Sequence, residues 1–371
     1  MGNRQRQGRP GKDALRAEMA RKRRFRRGGA IATVVLVAAL VGLKVLADGP
    51  EPVSPNVAES YAGGPVSLVY ADFTAGEDAS VARFWIDEET EEEIAKLPRS
   101  STTTASPTSD WLTVVELADQ DGVEVPMLYL FDPASGEETK VGPGVAPTWK
   151  ADGTAVAYAE PIDLERCNLV DCPGDKKIVV LDPATGNFET LIEGSYQILF
   201  WAGDRLLVFD TGSPEDTISL ATDGSDSLIE IHSAGIWGAS PDGKWLLVST
   251  SAGIRFVRLS EEGEPREESE VDLPSETVLG AGGWAFDSSA VAVVIEDIAA
   301  PRVLTFSPSD PEPRLLAEGV GSITRVLWSP ANDAVFLSTV SQGIGGVYCP
   351  LDGDCEPLDF DGGSRLPLRL E

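Results

Sequence analysis

One short pattern recurs five times in this sequence and restricts its fold more than any other feature: a tryptophan, a polar turn rich in Asp, Gly or Ser, and an apolar run. The five residues are Trp149, Trp201, Trp237, Trp284 and Trp328, and they are 52, 36, 47 and 44 residues apart. Self-similarity at such a period indicates a repeat architecture. Short apolar runs between Gly, Pro, Asp and Ser clusters are typical of β-strands, so each repeat is predicted to be a small sheet.

A second half-motif lies between the tryptophans. The segments 127–141 and 177–192 share Asp-Pro-Ala-Ser/Thr-Gly between two apolar runs. Together the two halves predict a four-stranded meander per repeat. One such sheet cannot bury both of its faces alone, whereas radial stacking buries them, so the fold class is predicted to be an all-β propeller.

Seven sheets are predicted, with six or eight as the alternatives. Five clear repeats start near 145, 195, 234, 276 and 320, and two weaker ones precede them over 65–97 and 109–142. The alternating segment 365–371 is predicted to pair into the first repeat and close the ring. The five tryptophans are predicted to be blade-core residues that fill the space between neighbouring sheets.

The turns Trp328-Ser-Pro-Ala-Asn-Asp and Ala239-Ser-Pro-Asp-Gly-Lys-Trp245 resemble the WD40-like repeats of TolB-type bacterial propellers. The resemblance covers 145–340 well and 65–144 weakly. It implies a propeller fold and an exported location, because proteins of that kind are exported scaffolds or parts of larger enzymes. It implies no ligand residue, since the matching positions are turn and core positions.

The N-terminal region has the pattern of a membrane anchor. The uncharged run 30–43 extends to about twenty residues over 28–47, which at ~1.5 Å per residue spans ~30 Å, one hydrocarbon core. Residues 1–27 contain 11 Lys and Arg, and positive flanks stay cytoplasmic. We therefore predict a cytoplasmic tail (1–27), a transmembrane helix (28–47), a linker (48–64) and an extracytoplasmic propeller (65–371).

A cleaved signal peptide is the alternative interpretation of this region. Val45-Leu46-Ala47 resembles a small-residue cleavage site. A charged segment of 27 residues before the apolar run, and Lys44 close to the cut, favour an uncleaved single-pass anchor in the cell membrane.

Four cysteines fall into two close pairs, Cys167 with Cys172 and Cys349 with Cys355. Disulfides persist outside the cytoplasm, so two disulfides are predicted. A four-thiolate zinc site is the alternative, although such sites usually space their cysteines two to four residues apart.

Charge is distributed unevenly. Residues 45–371 hold 18 Lys and Arg against 58 Asp and Glu, so this part of the chain repels nucleic acid and attracts basic partners. In a propeller the loops joining second to third strands share one face with the loops between sheets. Eight acidic residues are predicted to form a partner-binding face there: Asp163, Glu165, Asp171, Asp210, Glu215, Asp216, Glu296 and Asp297. The loop 160–176, which contains one cysteine pair, is its longest segment.

No catalytic apparatus is recognisable in the sequence. His232 is the one histidine, and no Gly-x-Ser-x-Gly nucleophile elbow occurs. No cofactor is predicted, and Asp119-Gln120-Asp121-Gly122 and Asp359-Phe360-Asp361-Gly362 offer only incomplete calcium ligand sets. The predicted function is a protein-interaction or scaffold module rather than an enzyme. The alternatives are a propeller-type hydrolase that acts on a sugar or lactone through carboxylates, and a sensor that signals through the short tail.

Overall fold

The structure is a computed structural model. It describes residues 66–73, 79–86, 88–97, 101–120, 122–133, 135–164, 167–169, 172–212, 218–221, 229–231, 235–250, 253–261, 263–271, 273, 278–296, 301–341, 344–358 and 365–370. The predicted tail, transmembrane helix and linker lie outside these residues. Within them, no helix is long and apolar enough to cross a bilayer.

The described residues form an all-β propeller of seven four-stranded antiparallel sheets. The first sheet has β1 (Ser67–Asp72), β2 (Ala79–Trp85), β3 (Thr90–Leu97) and the C-terminal strand β28 (Arg365–Leu370). The second has β4 (Ser101–Ala105), β5 (Leu112–Gln120), β6 (Val123–Asp132) and β7 (Glu137–Pro143). The third has β8 (Val145–Trp149), β9 (Val156–Pro161), β10 (Lys176–Leu181) and β11 (Phe188–Gly194).

The remaining four sheets follow in chain order. The fourth has β12 (Tyr196–Ala202), β13 (Arg205–Asp210), β14 (Ile218–Ala221) and β15 (Ile229–Ile231). The fifth has β16 (Ile236–Ala239), β17 (Trp245–Thr250), β18 (Gly253–Leu259) and β19 (Pro265–Val271). The sixth has β20 (Val278–Trp284), β21 (Val291–Glu296), β22 (Arg302–Phe306) and β23 (Arg314–Glu318). The seventh has β24 (Ile323–Trp328), β25 (Ala334–Ser341), β26 (Ile344–Pro350) and β27 (Glu356–Leu358).

The sheets form a closed ring through their innermost strands. Each of β4, β8, β12, β16, β20 and β24 contacts the innermost strand of the following sheet, and β28 contacts both β24 and β4. Leu68 of β1 pairs with Leu370 of β28. The predicted pairing of the last strand into the first repeat is therefore confirmed, and the two ends of the described chain share one sheet.

Six of the seven innermost strands contain a register shift against the second strand of their sheet; β4 is the exception. An extra residue in one strand bends it and increases its twist. Sequence periodicity does not predict these shifts, because one added residue in a strand of four to seven residues leaves no distinct pattern.

Four of the five predicted blade-core tryptophans occupy one equivalent position. Trp149, Trp201, Trp284 and Trp328 pair with Val156, Leu206, Val291 and Val335 of the second strand in their sheets. Each packs into a cluster formed with the preceding sheet, as the buried Trp328 does beside Ala292 and Val294. Four of the predicted residues thus fill the space between sheets.

The indole N–H groups add a hydrogen bond between sheets that the sequence did not predict. Nε1 of Trp328 donates to the carbonyl oxygen of Gly283 at 2.8 Å. Nε1 of Trp201 donates to the carbonyl oxygen of Thr148 at 2.9 Å. Both acceptors precede the equivalent tryptophan of the neighbouring sheet, so the same contact joins two pairs of successive sheets. Nε1 of Trp149 and of Trp284 is buried without an acceptor.

The prediction for Trp237 is wrong, since its side chain is 41% exposed. The turn that begins at Ser240 follows Ala239, whereas the turn that begins at Ser329 follows Trp328 directly. Ala239, which pairs with Leu246, therefore holds the core position in the fifth sheet. Trp237 comes two residues too early and lies within the register shift between Ile236 and Gly238.

The folded protein is expected to lose stability at alkaline pH, because two of its tyrosines are buried. Burial raises the pKa of Tyr158 from 10.0 to about 12, and burial also raises the pKa of Tyr348 to about 12. The unfolded chain loses the two phenolic protons near pH 10, whereas the folded chain retains them to a higher pH. The resulting stability is complete below pH 10 and is lost as the pH rises to about 12.

We expect the melting temperature to fall over this interval, measured by circular dichroism together with phenolate absorbance. A variant carrying Tyr158→Phe and Tyr348→Phe should show a flatter dependence. Phenolate formation by both side chains near pH 10 in a fully native protein would contradict the assignment.

Candidate partner-binding face

The meander topology divides the loops of the ring between two faces. The loop face carries the connections between second and third strands and those between successive sheets. The turn face carries the connections between first and second and between third and fourth strands. Both definitions follow from the strand order within each sheet.

The structure describes three of the eight predicted partner-face acids. Asp163 and Glu296 are exposed on the loop face. Asp210 is half-buried, and its Oδ1 accepts a hydrogen bond from the Gly212 amide at 2.8 Å. The other five lie outside the described residues: Glu165, Asp171, Glu215, Asp216 and Asp297.

Further exposed acids lie on the same face, near the ends of strands. Glu124 is the second residue of the third strand in its sheet, while Glu193 and Glu318 lie near or at the ends of fourth strands. Carboxylates from several sheets therefore converge on the loop face. Asp119 is also exposed there, and its Oδ1 accepts the Gly122 amide at 3.0 Å.

Two exposed apolar side chains accompany these carboxylates. Val123 is 40% exposed next to Glu124, and Ile162 is 51% exposed next to Asp163. An apolar contact surrounded by charge is the usual composition of a binding patch. Sequence reasoning missed both residues, because neither differs in type from a core strand residue.

The longest loop of this face is fixed to the core by the Cys167–Cys172 disulfide. Cys172 is fully buried among Val145, Ile178 and Ile198. At the base of the loop the Ile162 amide donates to the Asp175 carbonyl oxygen at 3.2 Å. Asp175 Oδ1 in turn accepts the Ser195 hydroxyl at 2.6 Å. The described part of this loop is therefore attached to the core both at the disulfide and at its base.

The second predicted disulfide, Cys349–Cys355, is present on the turn face. Cys349 is fully buried and Cys355 packs against the same cluster beside Leu316. No free cysteine occurs among the described residues.

The turn face is held together by contacts between successive sheets. The Thr108 hydroxyl donates to the Asp152 carbonyl oxygen at 2.6 Å. The Asp242 amide donates to the Ser288 hydroxyl oxygen at 2.9 Å, and the Phe286 amide donates to Asn332 Oδ1 at 2.6 Å. These turns therefore have a structural role.

Two carboxylates of the turn face are held ionised by their surroundings. Burial raises the pKa of Asp152, but hydrogen bonds from Thr154 and the Lys150 ammonium lower it by a larger amount. The pKa of Asp152 therefore lies below its ordinary value. The pKa of Asp242 is lowered in the same way, since the hydrogen bonds from Ser240 and Lys244 outweigh its burial.

Within the described residues, no group of three or more His, Cys, Asp or Glu side chains is arranged to hold a metal ion. Asp119 and Gly122 of the first calcium candidate form a turn hydrogen bond. Asp121, the second candidate over 359–362 and His232 all lie outside the described residues.

No family model matches the chain, and no curated protein matches it. Among solved structures, the β-propeller domain of the trilobed protease from Pyrococcus furiosus, described as having an open velcro topology, is 11% identical with a TM-score of 0.54, over 85% of this chain and 97% of that one. A 6-phosphogluconolactonase candidate from Bacteroides fragilis is 11% identical with a TM-score of 0.51, over 85% and 99%. TolB from Acinetobacter baumannii is 12% identical with a TM-score of 0.43, over 82% and 67%.

At these identities the similarity shows the β-propeller fold alone. The propeller architecture implied by the sequence resemblance is confirmed, and membership of a TolB-type family stays a prediction.

Proposed function

We propose that this chain is a membrane-anchored, extracytoplasmic propeller of seven blades, one per four-stranded sheet, that serves as a protein-interaction or scaffold module. Its partner is a basic protein or peptide that docks on the loop face. The observation that carries the proposal is the loop face itself, where exposed carboxylates of several sheets lie on the same face as the exposed Val123 and Ile162.

The physical basis of the interaction is complementary charge around a small apolar contact. Charges at the rim of an interface mainly govern the association rate and its salt dependence, whereas desolvated anchors govern the lifetime of the complex. The rim of the proposed interface consists of Glu124, Asp163 and Glu296. Its anchors are the side chains of Val123 and Ile162.

The proposed location rests on the sequence and on the disulfides. The basic segment before the apolar run 28–47 favours a cytoplasmic N-terminus. Two disulfides are consistent with an oxidising compartment outside the membrane.

The partner is sought by site-specific photo-crosslinking in native membranes. A photo-reactive residue at Ile162 on the loop face is compared with one at Phe188, which is 72% exposed on the turn face. We expect a discrete protein adduct from position 162 only. Equal adducts from both positions, or none from position 162, would contradict the assignment of the face.

Charge reversal then tests the rim. The triple variant Glu124→Lys, Asp163→Lys and Glu296→Lys is expected to slow association with the crosslinked partner several-fold and to make its salt dependence shallower, as measured by surface plasmon resonance. The melting temperature should barely move, because exposed substitutions usually change stability by less than ~0.5 kcal/mol.

A matched control carries the same reversals on exposed turn-face acids, at Glu137, Glu312 and Asp354. This control should leave association unchanged. If both triples slow association equally, the loop face is not the docking site and the acidity acts only as a general surface charge.

A propeller hydrolase acting on a lactone is the second candidate, because one similar structure is a 6-phosphogluconolactonase candidate. It is tested by following acid release from glucono-δ-lactone at constant pH. We expect no release above the spontaneous rate, and saturable catalysis would replace the scaffold proposal.

A further inference from the structure

A cleft of about 660 Å³ on the turn face is lined by four cationic side chains. They are Arg205, Lys244, Arg258 and Arg266, together with the carboxylates of Asp242 and Glu261. Residues 45–371 contain only 18 Lys and Arg against 58 acids, so four cations in one cleft oppose the charge of the whole domain. These cations come from three separate segments of the chain.

Close packing of two turns brings Arg205 into the cleft. A Cβ at Gly243, whose φ is +71°, would lie 2.5 Å from the carbonyl oxygen of Ala202. Only glycine lets the turn of the fifth sheet approach the fourth sheet this closely. Arg205 Nη2 then reaches the Gly243 carbonyl oxygen at 3.4 Å, while its Nη1 is buried with no acceptor.

Two further arginines are positioned by local structure of the fifth sheet. The Arg258 guanidinium lies over the Trp245 ring, 5.9 Å from its centroid, which holds the cation against an aromatic face. Arg266 is the extra residue at the register shift opposite Arg258 and Leu259. Bulges of this kind redirect a side chain, here toward the cleft.

The nearer carboxylate is already engaged by its own turn. Asp242 accepts the Ser240 hydroxyl at 2.7 Å and the Lys244 amide at 3.1 Å. It also forms an ion pair with Lys244 Nζ at 3.1 Å. These bonds fix the turn and orient Lys244. Glu261 is the other acidic residue that lines the cleft.

We propose that this cleft is a binding site for a phosphate-bearing ligand. Guanidinium groups match the oxygen geometry of phosphate in pairs of hydrogen bonds, and an added lysine contributes a compact positive charge. The site is independent of the partner on the loop face, because it lies on the opposite face of the ring.

The test uses the full chain in an uncharged detergent, with inorganic pyrophosphate as the probe. Arginines are modified with phenylglyoxal and mapped peptide by peptide, with and without pyrophosphate. We expect modification of Arg258 and Arg266 to slow several-fold, and modification of the exposed Arg314 to stay unchanged. Equal protection at Arg314, or none at Arg258 and Arg266, overturns the proposal.

Calorimetric titration with pyrophosphate provides the second measurement. The variant Arg258→Gln/Arg266→Gln should weaken the cleft-specific binding by at least about tenfold. The matched control Lys140→Gln/Arg314→Gln removes two exposed cations elsewhere and should bind as the wild type does. Equal binding by both variants counts against the site.

Vesicles distinguish the source of the phosphate. Flotation compares vesicles of phosphatidylglycerol and phosphatidylcholine with vesicles of phosphatidylcholine alone. A lipid headgroup is the ligand if the arginine variant lowers binding to the anionic vesicles relative to the control variant. Unchanged vesicle binding combined with lost pyrophosphate binding assigns a soluble phosphate compound, and no loss in either assay refutes the proposal.

Discussion

Trp328→Ala is expected to lower the free energy of unfolding by about 3–5 kcal/mol, the usual cost of truncating a large buried aromatic side chain. Trp328 is 4% exposed and packs between the sixth and seventh sheets. The substitution opens a cavity there and removes the hydrogen bond to the Gly283 carbonyl oxygen. Urea denaturation followed by circular dichroism measures the change.

Trp237→Ala is the matched control, since Trp237 has the same residue type and also lies in an innermost strand but is 41% exposed. Its expected cost is below ~1 kcal/mol, because an exposed side chain leaves little cavity. A cost below 1 kcal/mol for Trp328→Ala, or equal costs for both variants, would show that the repeat position is misassigned.

These two tryptophans illustrate what the sequence can predict about this fold. A tryptophan directly before a short polar turn marks the innermost strand, because that position faces the neighbouring sheet in each repeat. Trp328 satisfies this rule and Trp237 does not, since two residues separate it from its turn. Counting back from the turn identifies Ala239 as the core position of the fifth sheet. An alanine is too common in the sequence to mark that position without the turn.

The candidate sites were predictable to different degrees. Topology alone places the loops around Glu124, Asp163 and Glu296 on one face, because strand order determines where each connection lies. The exposure of Val123 and Ile162 depends on how each loop folds, which apolar periodicity does not encode.

The cationic cleft was beyond sequence reasoning for a different reason. Arg205, Lys244 and Arg266 come from three separate segments, and their convergence depends on the Gly243 contact and on a register shift. The two predicted disulfides needed no such detail, since each pair is close in sequence.

Ring closure by β28 is the other feature on which stability depends strongly. Arg369 of β28 is 7% exposed, and its Nη1 donates to the carbonyl oxygens of Ser106 and Ser109 in the second sheet. Arg325 Nη1 of the seventh sheet donates to the Pro367 carbonyl oxygen at 2.7 Å. The strand therefore links the first sheet to both of its neighbours.

Deletion of residues 365–371 is expected to abolish the cooperative native state. The loss of buried Leu368 and Leu370 alone costs about 3–6 kcal/mol, and the lost hydrogen bonds of charged Arg369 add about 1.5–3 kcal/mol. This sum is comparable with the ~5–15 kcal/mol total stability of a typical domain. Deletion also leaves β1 as an unpaired edge strand, so the truncated chain should self-associate. Near-UV circular dichroism and light scattering measure both effects.

A peptide with the sequence of residues 365–371 should restore the near-UV signal of the truncated chain, because it can add as a strand along β1. A peptide of the same composition in scrambled order is the control, since it keeps the charge but loses the residue order that places Leu368 and Leu370 in the two clusters on either side of the first sheet. Rescue by the native peptide alone would show that the register between β1 and β28 closes the ring. A truncated chain that stays monomeric and native without any peptide would show that the contacts among the other innermost strands suffice.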